Sequence, residues 1–158
     1  MTRARRQARW DDETSGRIDF DMLLGLVGFH LRFAQNAVVD HFQEHVANDG
    51  ITPIQFSTLT LIDANAGLSQ TALSRAAGIE RSSTVSIIDG LEKRGLVERR
   101  RPDRRSHALH LTTTGKRRLK RLKPQVTAHD TAIAECLSDQ EKRLLIDLLD
   151  RLACDGSR

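Results

Sequence analysis

The stretch Leu96–Thr112, LVERRRPDRRSHALHLT, decides how this chain is read. Two short runs of alternating apolar and polar residues flank Pro102-Asp103-Arg104-Arg105-Ser106, a turn-prone tip loaded with positive charge. That combination predicts a basic β-hairpin whose Leu96, Val97, Leu109 and Leu111 face a core. Immediately upstream, Leu68–Gly95 (LSQTALSRAAGIERSSTVSIIDGLEKRG) holds two amphipathic segments broken at Ala77-Gly78, the pattern of a helix-turn-helix. A hairpin directly after such a helix pair predicts a winged DNA-binding unit.

Charge supports the same reading. The chain has 158 residues and a formal net charge of +4, but thirteen lysines and arginines between Lys93 and Lys123 face only Glu98 and Asp103. Charge so concentrated attracts a polyanion, and nucleic acid fits better than a membrane because no adjoining face of Trp, Phe and Leu accompanies it. A chain of this length buries about 68–70% of its unfolded surface and needs no staples. Cys136 and Cys154 lack metal-ligand spacing and read as structural thiols in a reducing compartment. No apolar run approaches the roughly 20 residues that span a bilayer, and the start, MTRARRQARWDDETSGR, lacks the apolar stretch of a secretion signal. A cytoplasmic protein is expected.

Residues 1–17 mix arginines with acids and are expected to form a mobile arm, followed by one domain over 18–158. Between Asp19 and Val46 the positions Leu23, Val27, Leu31, Ala34, Val38 and Phe42 recur at helical spacing, widened by Leu26, Phe29 and Phe33. Such a helix needs cover on two sides, the core and a partner subunit. Thr52-Pro53-Ile54-Gln55 is a capping box with proline at the first helical position. Ser69 is placed to cap the next helix, where Leu73, Ala76 and Ala77 face inward, and Ser69 and Gln70 are candidate DNA contacts at its start. In the segment Glu80–Arg94, Val85, Ile88 and Leu91 occupy one face, leaving Arg81, Ser82, Ser83, Thr84 and Ser86 for the other. Hydroxyls and a guanidinium in the first turns are where a recognition helix meets base edges and phosphates. Ser and Thr also favour helix starts for backbone reasons; the adjacent hairpin favours contact. Beyond Thr112 a long basic helix runs to about Cys136, and Ser138-Asp139-Gln140-Glu141 caps a last helix with a stripe of Leu144, Leu145, Leu148, Leu149 and Leu152. The expected class is mainly α with a small β-wing. Residues 52–112 form a winged helix-turn-helix lobe, and 19–46 with 113–158 form a helical dimerisation region.

This order of elements resembles the MarR family of winged helix-turn-helix regulators from about Asp19 to Leu152. The most specific piece is Asp103-Arg104-Arg105 followed by Leu109-His110-Leu111-Thr112 and Gly115; Gly67-Leu68-Ser69-Gln70 and Leu91–Val97 are similar to its other common blocks. The resemblance implies a homodimer with intertwined terminal helices, each recognition helix in a major groove and each wing reaching the adjacent minor groove. It implies that Arg105 inserts into the minor groove, Arg104 binds phosphate and Asp103 orients the wing. Glu80 and Gly90 depart from the family's usual Asp and Arg. The family's small ligands, often aromatic acids, are implied too. Phe29-His30-Leu31-Arg32-Phe33 and the Ser106–His110 wing are similar to a branch associated with aromatic acids and their coenzyme A thioesters. His30 and Arg32 suit a carboxylate, thioester or phosphate, and Phe29, Phe33 and Phe56 suit apolar walls.

The expected function is a transcriptional regulator, a homodimeric repressor released from a pseudo-palindromic double-stranded DNA operator by an aromatic acid or acyl-CoA effector. A sequence-tolerant architectural DNA binder without an effector is the alternative. An enzyme is not expected, since no Gly-rich phosphate loop or nucleophile motif occurs. His41 and His45, at i,i+4 beside Glu44, lack a third ligand, so neither a metal site nor a cofactor is read.

Overall fold

Helix ends follow local chemistry in the computed structural model, which describes residues 18–46, 50–100 and 108–155. A 3-10 turn (Asp21–Gly25) precedes α1 (Val27–His45), α2 (Pro53–Ala64), β1 (Leu68–Ser69), α3 (Gln70–Ala77) and α4 (Arg81–Lys93). Then come β2 (Val97–Arg100), β3 (Ala108–Leu111), α5 (Thr113–Ile133) and α6 (Asp139–Asp155). The chain divides into two compact units, one up to Asp40 and one from His41 onward.

In the first unit, the helix expected from Asp19 onward is split, because Leu26 adopts an extended conformation between the 3-10 turn and α1. Two local causes act. The Asp19 carboxylate accepts a hydrogen bond from the Asp21 backbone N–H at 2.9 Å, favouring a turn, and Gly25 and Gly28 weaken helix on either side of the break. Leu24 and Phe29 are buried, whereas Met22, Leu23, Leu26 and Val27 remain exposed.

In the second unit the caps form as the sequence predicts. Thr52 Oγ1 accepts from Gln55 N while Gln55 Oε1 accepts from Thr52 N, with Pro53 at the start of α2. Ser69 caps α3 through Ala72 N, and Gly78 (φ 63°) ends it in the left-handed conformation that glycine adopts without steric cost. The core gathers Phe42 and Val46, then Leu59 and Ile62 of α2, Leu73 of α3, Ile88 and Leu91 of α4, and Leu119 and Leu122 of α5. The hairpin residues Leu96, Val97, Leu109 and Leu111 join them. In α3 only Leu73 is fully buried, and Ala76 faces solvent rather than the core. The sheet has one strand more than expected. Its order is β1-β3-β2, all antiparallel, with Val97 opposite Leu111 and Leu68 opposite Leu109.

One junction sets where the hairpin ends and α5 begins. Thr112 N donates to Leu96 O at 3.1 Å, and its hydroxyl donates to Gly95 O at 2.7 Å while accepting from Gly115 N at 2.9 Å. Gly115 lies so close to Leu96 that an added Cβ would overlap the Leu96 carbonyl oxygen and stand 3.0 Å from its carbon. Backbone on both sides leaves no flexible atom to yield. This junction gives the glycine downstream of the hairpin a packing reason.

A second device ties the hairpin to the helix before it. Arg99, on β2, directs its guanidinium to the carboxylates of Asp89 and Glu92 on α4, and its backbone N–H donates to Glu92 Oε1 at 3.3 Å. With its oxygen toward the guanidinium, the Gln70 amide accepts from Arg99 Nε at 2.9 Å and Nη2 at 3.2 Å. The Arg99 side chain is 18% exposed, against 49% for Asp89 and 39% for Glu92. The arginine is therefore the desolvated member and depends most on its partners.

Gly115→Ala should lower stability by at least about 2 kcal/mol, as overpacking against rigid backbone does; urea unfolding that moves by less would place a compliant gap at this contact. Arg99→Met should cost about 1–3 kcal/mol, the range for charge-assisted bonds whose acidic partners stay partly solvated. Arg99→Lys should recover less than half of that loss, because an ammonium cannot reproduce the guanidinium fork, and the same unfolding curves decide it.

Candidate nucleic-acid interface

Helices α3 and α4 meet at the Gly78 turn and contact one another directly. Among the residues predicted to touch DNA, Ser69, Arg81, Ser82, Ser83 and Ser86 are exposed. Arg81 is oriented by Thr71, whose hydroxyl accepts from its guanidinium at 3.0 Å, so α3 positions a cation of α4. Ser86 Oγ leans back to Ser82 O at 3.3 Å, a weak local bond that an external acceptor can displace. Glu80 stands at the N-cap of α4 without a side-chain capping bond.

Two placements differ from the sequence reading. Thr84 is buried and its hydroxyl donates to Glu80 O at 2.9 Å, whereas Val85 is exposed. The inward face of α4 is Thr84, Ile88 and Leu91, an i, i+4, i+7 series, so Thr84 is a core residue and not a surface contact. Gln70 is half-buried and engaged with Arg99, which makes it a link between α3 and the hairpin. Asp103, Arg104 and Arg105, the tip residues singled out by the sequence, lie outside the described residues.

Sequence reasoning missed Thr71 and Arg99, both of which act on contact elements through other residues. A signal for Arg99 existed in the acid pair Asp89 and Glu92 at i,i+3 on α4, but the pairing strand is fixed only by the fold. Several cations of the basic stretch are also occupied. Arg94 donates to Gly50 O at 2.8 Å, Lys123 pairs with Asp63 at 3.2 Å, and Arg100 pairs with Glu98 on its own strand.

The expected effector residues fall in both units. Within the first, Phe29 and Phe33 pack edge to face at 4.8 Å between ring centroids, and Phe20 packs on Phe29 at 5.8 Å. The Arg32 guanidinium lies 5.7 Å from the Phe29 ring centroid and 5.1 Å from that of Phe33, and a His30 ring nitrogen, Nε2, bonds with Leu24 O at 3.1 Å. Phe29, His30, Arg32 and Phe33 thus form one cluster, a cation above an aromatic wall. Phe56 belongs to the second unit and packs, half-buried, against its core.

Cys136 and Cys154, read from the sequence as structural thiols, are free and exposed. Among the described residues no group of three or more His, Cys, Asp or Glu side chains is arranged to hold a metal ion. No described helix is long and apolar enough to cross a membrane.

Comparison with known proteins agrees with this architecture. Residues 49–106 match the family model described as MarR family. The chain is 39% identical over 133 residues to a putative transcriptional regulatory protein for the hcr operon of Thauera aromatica, covering 82% of this chain and 80% of that one. The repressor CouR bound to a 23-mer DNA duplex superposes with a TM-score of 0.80 at 40% identity, over 86% of this chain and 98% of that one. CouR bound to p-coumaroyl-CoA superposes with a TM-score of 0.81 at 36% identity, over 86% and 97% of the two chains. This chain therefore belongs to the MarR family of winged helix-turn-helix, DNA-binding transcriptional regulators.

Proposed function

We propose that the protein is a homodimeric repressor that holds a pseudo-palindromic operator and is released by an aromatic acid or its coenzyme A thioester. The observation that carries this reading is the similarity, at 40% and 36% identity, to a repressor captured both on DNA and with p-coumaroyl-CoA. The exposed row of Arg81, Ser82, Ser83 and Ser86 supports major-groove contact. By family resemblance, Asp103, Arg104 and Arg105 of the wing supply the adjacent minor-groove and phosphate contacts, with Arg105 favoured by the negative potential of a narrow groove.

Dimerisation is supported by α6, where Leu144, Leu145, Leu148, Leu149 and Leu152 are each 39–56% exposed on the single chain. An apolar stripe of that length on a helix calls for a partner. With a two-fold axis, half-sites about one helical turn apart follow. For the effector, the Arg32 guanidinium over Phe29 and Phe33 offers charge beside an apolar wall, the chemistry that an aromatic carboxylate or an acyl-CoA phosphate requires.

Titration at fixed salt against the protein's own upstream DNA should show a preference of at least about a thousandfold over unrelated DNA. Arg105→Ala should weaken both bindings, since a shape-reading contact serves many sequences. Equal binding of both duplexes would favour a sequence-tolerant architectural protein. Adding p-coumaroyl-CoA or free p-coumarate as probes should lower operator affinity 5–150-fold, and Arg32→Ala should blunt that response. A panel of aromatic acids and thioesters that leaves the operator complex intact would overturn the effector assignment while leaving DNA binding in place.

A further inference from the structure

His41 and His45 on the last turns of α1 and His129 on α5 form a cluster that the DNA-binding surface does not use. His41 Nδ1 and His129 Nδ1 are 2.8 Å apart, a direct imidazole–imidazole hydrogen bond. His45 stacks on His41 with 3.9 Å between ring centroids, and its Nδ1 bonds with His41 O at 2.9 Å. His129 is only 6% exposed and meets the Phe42 ring edge-on at 5.3 Å. On its own helix the adjacent Asp130 carboxylate is held by Lys142 of α6. Among the described residues, the charged or titratable groups around His129 are His41 and His45 from α1, with the Glu44 carboxylate 4.0 Å from His45, Asp130 on α5, and Lys142 from α6 acting on that aspartate.

We propose that the His41–His129 bond is a proton-operated latch joining α1 to α5, closed at neutral pH and released in mild acid, and that its release weakens DNA binding. The inference goes beyond the effector reading and needs only the family's DNA-binding activity.

The bond itself dictates the behaviour. Between two imidazoles one Nδ1 must carry the proton and the other must accept it. A first added proton can sit on the donor ring's free nitrogen and leave the bond intact. A second proton, on the acceptor, replaces the lone pair with another N–H, so two cations face each other at hydrogen-bond distance. His129 is the natural acceptor. Burial pushes its pKa below the ordinary value of 6.5, nearby His41 and His45 push the same way, and only Asp130 opposes them. Unfolding frees this group to take up a proton at higher pH than the folded chain allows. The stability it contributes is complete above about pH 6.5 and is lost as pH falls through the lower folded-state value.

The sign separates this device from simple charge gain, since positive charge added to a DNA-binding surface tightens the complex. Opening the latch does the reverse, by breaking the His41–His129 contact between the end of α1 and α5.

Anisotropy titrations of the full chain on its upstream duplex, at constant salt from about pH 7.5 to about pH 5.5, test this. Wild type should lose about tenfold in affinity, within the range usual for coupled sites. His129→Leu, which fills the space but cannot charge, should lose less than about twofold over the same interval. Wild-type affinity that holds or rises in acid, or a His129→Leu protein that weakens as steeply as wild type, would overturn the latch. Should His129→Leu fail to fold, ring-nitrogen NMR of wild type and His41→Asn decides the matter. The latch requires His129 to titrate below pH 6.5 and to move upward when His41 is removed; a midpoint at or above 6.5, or one indifferent to His41, overturns it.

Discussion

The Arg99 guanidinium is the contact on which the DNA-facing geometry depends. It joins β2 to Asp89 and Glu92 of α4 and to Gln70 at the first position of α3. Apolar contacts alone would bury Ile88 and Leu91 against the core equally well over a range of helix rotations. A planar fork with three partners selects one. The Gly95–Leu96–Thr112–Gly115 junction fixes the other end of the hairpin. The two strands therefore leave the core with their base held at both sides. A charged side chain used this way is lost to DNA. The surplus of cations between Lys93 and Lys123 accordingly overstates the charge offered to phosphates, since Arg94, Arg99, Arg100 and Lys123 all have partners within the protein.

What could be read in the sequence, and what could not, divides by the range of the interaction. Caps are local chemistry, and Thr52, Ser69 and Ser138 all act as their spacing predicts. The hairpin's alternation also translated directly into burial, with Val97, Leu109 and Leu111 inside. Thr84 and Val85 were misassigned because hydrophobicity ranks valine above threonine, whereas a threonine whose hydroxyl returns to the carbonyl four residues back is buried without an unmet bond. Strand β1 has only two residues, and its identity rests on pairing with the distant β3, Leu68 opposite Leu109 and Ser69 opposite Ala108. No periodicity exists in so short a segment. The first unit shows the opposite failure: a strong helical stripe ran through Leu26, but the Asp19 carboxylate and two glycines broke it locally.

Exposure on α6 carries a related lesson. Its leucines form a regular stripe, which a sequence reader sees as readily as a core, yet five of them remain 39–56% exposed on the single chain. Periodicity establishes that a helix has an apolar face; it does not say which surface covers that face. The symmetric pairing proposed above would cover this one.

His129 poses the question of why a buried position on α5 carries a polar ring at all. Leucine occupies the comparable inward positions Leu119 and Leu122 on the same helix. An imidazole buried there gives up solvation and needs a partner to offset it. The His41 bond supplies one, but a hydrocarbon of similar volume would pack without that requirement. What the imidazole adds is a state that depends on proton activity near neutrality, which no apolar side chain possesses. Its placement matters as much as its chemistry. The bond runs from the last turns of α1 to the last turns of α5, while the neighbouring Asp130 reaches α6 through Lys142. Protonation at one ring thus bears on contacts among the three longest helices, and α5 continues directly from the Thr112 junction that anchors the hairpin.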